Sequence, residues 1–220
     1  MAFQELVGID TAMYYGPYIM EKAGIVIKGM SEDQSALLLG IPLTGIDCVG
    51  SFLAIFFIDK MGRRYLMLRT LPLIALSWFV VATGMAFTGD DQSESNQKIG
   101  GIVACVGLSC FLLIFAFGFN STPWTISSEI FPLHLIGTAN SLSVTSNWTA
   151  DAILSYVFKI VTEISTAAEV AVYVFLGVMA ISAFIFTYYL IPETANKPIN
   201  QILDEILGSD YKGKYKAVEP

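Results

Sequence analysis

Charge is scarce in this sequence: only 14% of its 220 residues are Asp, Glu, Lys or Arg, against about 25% in an ordinary soluble domain. That shortage excludes a chain that surrounds its core with a solvated surface. Cysteine is scarce as well. Cys48, Cys105 and Cys110 all fall inside apolar runs, so they read as small packing residues rather than a disulfide framework. The single histidine, His134, lies in a loop and has no assigned role. Basic residues are outnumbered, and the net charge of −7 argues against nucleic acid as a partner. No cofactor and no metal site is expected. The glycosylation sequons at Asn120 and Asn147 lie within apolar runs and are read as coincidental.

Apolar residues dominate, at 55% of the chain, with a mean hydropathy of +0.63. Six runs are each long enough to approach or cross about 30 Å of hydrocarbon at about 1.5 Å per residue: 2–20, 35–58, 66–87, 99–122, 138–162 and 169–191. The expected fold is an all-α membrane protein, with one six-helix bundle over 1–196 and a cytoplasmic tail over 197–220. Lys60, Arg63, Arg64 and Arg69 follow the second run, and Lys197, Lys212, Lys214 and Lys216 follow the sixth. Because Lys and Arg near span ends are retained inside, both regions and the C-terminus are expected to be cytoplasmic. Gly and Pro inside the runs, at Gly16-Pro17, Gly40, Pro42, Gly118, Pro123 and Pro132, mark close contacts or broken helices and suit a carrier.

A few acids interrupt these runs. Asp10 lies about 16 Å inside Glu21, and Asp47 about 18 Å from Asp59, which places both near mid-membrane. Asp151 is at similar depth, one turn beyond Asn147 and on the same face. A charge there costs at least about 2.5–3.5 kcal/mol if it meets lipid, so these acids are expected to line a cavity. Glu5 and Asp10 are about 140° apart on an ideal helix. Either the cavity wraps widely around this helix or the helix is unwound near Gly8, as happens where transporters bind solute. Trp124 follows Pro123 and offers an aromatic face beside a helix break. Glu129 offers a partner for Arg63 and Arg64 at the ends of two spans.

Taken together, "FQELVGIDTAMYY", "DKMGRR", "PWTISSEIFP", "SNW" and "IPETANKP" resemble, in order, motifs of the C-terminal six helices of the sugar porters of the major facilitator superfamily. Within that family, "IDTAMYYGP", "SALLLG" and "GSFLAIFFIDKMGRR" are most similar to the proton-coupled myo-inositol and hexose carriers. The resemblance implies that Gln4, Glu5, Asp10, Asp47, Trp124 and Asn147 surround a sugar or polyol, and Asp151, on the face of Asn147, is expected to join them. It also implies that Arg63, Arg64, Glu129 and Glu193 form a charge network on the cytoplasmic side, where Asp59 at the end of the second run is expected to take part. Protons are the implied coupling ion, and a missing N-terminal six-helix half is the implied partner.

Several positions depart from the family pattern. Glu5, Asp10, Asp47 and Asp151 stand where the family carries amides. A carboxylate accepts hydrogen bonds but cannot donate them as an amide does, so hydroxyl recognition must differ. Ala116 replaces a common Glu, Ile136 an Arg, and Ala195-Asn196 a Lys-Gly pair. The leading expectation is half of a secondary carrier, with no enzymatic chemistry. The alternatives are a non-transporting membrane sensor or assembly subunit, and a cation-binding, channel-like protein that uses the acids.

Overall fold

The computed structural model describes the chain apart from residues 23–31, 90–91, 133, 163 and 208–220. The outer-loop and tail lysines at 28, 212, 214 and 216 lie outside the described residues. Among those described, the regular elements are all helical. They run α1 (Ala2–Leu6), α2 (Ile9–Lys22), α3 (Glu32–Met61), α4 (Arg63–Ala86), α5 (Glu94–Gly118), α6 (Thr122–Glu129), α7 (Ile136–Thr162), α8 (Thr166–Leu190) and α9 (Ile199–Leu207).

Among the described residues, four stretches are long and apolar enough to cross a membrane by themselves: Gln34–Met61, Arg63–Ala86, Glu94–Glu129 and Thr166–Leu190. The other two expected spans differ for physical reasons. The first is divided into α1 and α2 at Val7-Gly8. The fifth, α7, has 27 residues, ample length, but Asn140, Ser143, Asn147 and Asp151 make it more polar. The fourth run is likewise broken after Gly118, and α6 starts anew with Pro123 in its first turn, where proline needs no backbone donor.

The core is built around α4, which packs along α5 on one side and α8 on the other. Trp78, fully buried on α4, meets Phe111 of α5 with ring centroids 4.5 Å apart and stacks on Tyr173 of α8 at 5.8 Å. Small residues allow α4 and α5 to touch backbone to backbone. A Cβ on Gly84 would lie 2.5 Å from the Ala104 nitrogen and 2.6 Å from the Gly100 carbonyl, the close approach typical of packed membrane helices. Hydroxyls inside the spans mostly satisfy themselves on their own helix, as when Thr70 donates to Leu66 at 2.9 Å and Ser109 to Cys105 at 2.8 Å.

Other faces remain uncovered. On α3, Leu37, Ile41, Phe52 and Ile55 are exposed, as expected of a helix bathed in lipid or covered by further protein. The segment read as a tail begins with an ordered helix, α9. Its apolar residues Ile199, Ile202, Leu203 and Ile206 recur at helical spacing, and Ile202 and Leu203 are buried against the bundle. Asn196, which replaces a glycine of the family pattern, has φ of 57°, a left-handed conformation that asparagine tolerates better than most residues.

Candidate functional site

The break between α1 and α2 organises the site. Gly8 has φ of 94°, a region costly for any residue with a Cβ. The chain turns tightly there, with the Gly8 N–H donating to Glu5 at 2.7 Å. This turn releases the Val7 carbonyl from the helical ladder, and the Trp78 indole N–H donates to it at 2.7 Å. A Cβ on Gly8 would also lie 2.8 Å from Leu176 Cδ1 and 3.1 Å from Trp78. Both conformation and space therefore require glycine.

The break gathers the acids that an unbroken helix would have kept apart. One carboxylate oxygen each from Glu5, Asp10 and Asp151 lie within 4.8 Å of one another. Glu5 is buried, and Asp10 and Asp151 are half-buried. Asn147, buried one turn before Asp151 on α7, donates its amide to Glu5 Oε1 at 2.6 Å. Gln4 donates to the Asn120 carbonyl at 2.6 Å, which ties α1 to the break before α6. Several buried oxygens here have no hydrogen-bond partner: Gln4 Oε1, Glu5 Oε2, Thr11 Oγ1 and Asn147 Oδ1. Each represents desolvated bonding capacity that a ligand could use.

Other candidates lie apart from this cluster. Asp47 is half-buried on α3 and contributes no oxygen to the triad. An open groove of about 730 Å³ runs between α2 and α3, with Tyr14 and Pro17 on one wall and Thr44 and Cys48 on the other. Trp124 is 41% exposed on α6. Its neighbours Pro123, Ile126 and Ser127 line a separate cavity of about 200 Å³ with Phe3, Phe119 and Phe186.

At the basic end of the bundle, Arg63 is the hub. Its Nη2 contacts Glu129 at 3.1 Å and Asp59 at 3.0 Å. Glu193 accepts from the Arg63 backbone N–H at 2.9 Å, from Tyr65 at 3.3 Å and from Ala195 at 3.0 Å. It thereby caps the start of α4 from across the bundle. Gly62, with φ of 89°, admits this carboxylate, since a Cβ there would sit 2.6 Å from Glu193 Oε2. Arg64 turns elsewhere and donates to the Tyr188 carbonyl at 2.6 Å.

Three contributors escape a reading of the sequence: Trp78, Asn120 and the buried pair of Tyr173 and Glu169, whose hydroxyl and carboxylate are 3.3 Å apart. A tryptophan in an apolar run carries no signal of a distant carbonyl partner. Glu169 reads as a loop acid because it occupies the first turn of α8.

An all-helical bundle with a broken first span, a buried polar cluster at the break and a charge network at one end matches the major facilitator fold. Solved structures agree. The proton:xylose symporter XylE bound to 6-bromo-6-deoxy-D-glucose superposes with a TM-score of 0.76 at 27% identity, covering 93% of this chain and 41% of that one. An inward-open conformation of XylE from E. coli gives 0.73 at 25% identity, covering 93% and 40%.

The sequence matches the "Sugar (and other) transporter" family over residues 1–205, and the chain belongs to that family. Similar relatives include probable inositol transporter 2 of Arabidopsis thaliana, 24% identical over 91% of this chain and 46% of the relative. Another is polyol transporter 5 of the same plant, 29% identical over 97% of this chain and 39% of the relative. The chain thus spans less than half the length of these relatives.

Proposed function

We propose that this chain serves as the C-terminal six-helix half of a secondary carrier that moves a sugar or polyol by alternating access, coupled to protons. The observation that carries the reading is the set of buried, partnerless oxygens on Gln4, Glu5 and Asn147 beside the break at Gly8. They suit the hydroxyl groups of a neutral polyol, each of which can donate to an acceptor. In this reading Asp10, Asp47 and Asp151 line the same solute path, and the exposed Trp124 ring covers the apolar face of the solute. Residues 1–196 form the transport bundle and 197–220 the cytoplasmic appendage, with the Arg63 end in the cytoplasm, consistent with its basic residues. Arg63, Arg64, Asp59, Glu129 and Glu193 bias the inward closure against an N-terminal half. The two halves rock about the solute, as in other carriers of this architecture.

The test is uptake of labelled myo-inositol and xylose into proteoliposomes that contain this chain with a six-helix N-terminal half. It is run with and without an imposed proton gradient. Solute accumulation that requires both halves and rises with the gradient supports the proposal. Absence of saturable uptake and of solute binding for both compounds overturns it.

A further inference from the structure

We infer that Glu5, Asp10 and Asp151 form a site for one calcium-sized divalent cation, with Asn147 Oδ1 as an adjoining neutral oxygen. The acids come from α1, α2 and α7, and the break at Gly8 is what lets the first two converge. Their ligand oxygens lie within 4.8 Å of one another. Calcium holds oxygens at about 2.3–2.6 Å, so two of its ligands can be as far as about 4.6–5.2 Å apart. Magnesium, at about 2.0–2.1 Å, demands a stricter octahedral shell and gives up its waters reluctantly.

A cluster of acids alone would carry little weight, but two buried oxygens point to a missing ligand. Glu5 is 6% exposed and Asn147 2% exposed. Glu5 Oε2 and Asn147 Oδ1 both lack a hydrogen-bond partner. The Asn147 amide adjoins the triad directly, since its nitrogen donates to Glu5 Oε1 at 2.6 Å, leaving its carbonyl oxygen as unused acceptor capacity. Neutral carbonyl oxygens and carboxylates together are the usual calcium donor set. Of the described side-chain cations, Arg63 pairs with Asp59 and Glu129, and Lys197 with Glu205, so neither of these two serves the triad. Three carboxylates match a divalent ion better than sodium, whose single charge leaves more repulsion uncompensated. Ser155, which donates to Asp151 Oδ1 at 3.0 Å, orients one of the ligands.

The site needs neither a solute nor a second half, so its test is separate from that of transport. Binding of radioactive calcium to the full chain in lipid nanodiscs, with excess sodium and magnesium present, is expected to saturate at one ion per chain. Asp151→Asn and Asp10→Asn should each weaken binding at least about tenfold, because calcium affinity follows ligand charge. Glu94→Gln, which changes an exposed acid remote from the triad, should bind as the parent does. Calcium should also raise the melting temperature of the parent chain and not that of Asp151→Asn. Failure of the parent to bind calcium saturably overturns the inference. So does equal affinity in the Asp10 and Asp151 variants, or binding in which sodium or magnesium replaces calcium at comparable concentration.

Discussion

The Trp78 indole nitrogen lies 2.7 Å from the Val7 carbonyl oxygen, a hydrogen bond between residues 71 positions apart. It supplies a partner to the carbonyl that the helix break releases, at a residue fully buried from solvent. Trp78→Phe keeps most of the ring packing and removes the donor. The expected loss is about 1–3 kcal/mol, the cost of a buried polar group left unpaired, read as a lower melting temperature in detergent. Solute affinity should fall with it, because Gln4 and Glu5 are positioned by the same turn.

Gly8→Ala should destabilise by a comparable amount. Its φ of 94° disfavours any Cβ, and the added atom meets Leu176 at 2.8 Å. Strain at such a position costs of order 1–3 kcal/mol. A Gly8→Ala, Leu176→Ala double variant relieves the contact but not the dihedral, so it should recover only part of the single variant's effect relative to Leu176→Ala alone.

Glu193→Ala should fray the start of α4, since one carboxylate serves two backbone N–H groups there, those of Arg63 and Tyr65. Hydrogen exchange of the Arg63 and Tyr65 amides is the measurement, with faster exchange expected. Glu193→Gln retains one acceptor oxygen and should fall between the two.

At the basic end, Arg63→Lys should preserve charge but lose the reach of the single Nη2 that contacts both Asp59 and Glu129, because the ammonium sits on a shorter stem and is more strongly hydrated. The Asp59 contact is largely solvent-exposed, at 76%, and surface pairs of this kind contribute about 0–1 kcal/mol. Asp59→Asn should therefore leave the melting temperature nearly unchanged, while Glu129→Gln shows the larger shift. Equal shifts would place the two contacts on the same footing.

The spans were legible because length and apolarity report directly on a membrane-crossing helix. The charge network was legible because complementary residues stood at span ends. What one sequence conveys poorly is rotation about a helix axis. Counting rise per residue places Asp10, Asp47 and Asp151 at one depth, yet Asp47 contributes no oxygen to the triad, and depth contains no azimuth. The same geometry separates Arg63 from Arg64: neighbours about 100° apart on a helix do not share one partner, and Glu129 takes only the first. The opposition between Glu5 and Asp10 did expose the alternative of an unwound helix at Gly8, but the indole that completes it is a tertiary contact. The acid triad follows no ligand spacing, with members at 5, 10 and 151, and only the fold brings them together.

The backbone contact between Gly84 and Gly100 limits how this bundle can deform. Where Gly84 meets Gly100 and Ala104 no side chain is interposed, so that stretch of the α4–α5 seam has no compliant layer to absorb sliding. These two helices are therefore locked together at one point, while the polar cluster lies between the jointed first span and α7.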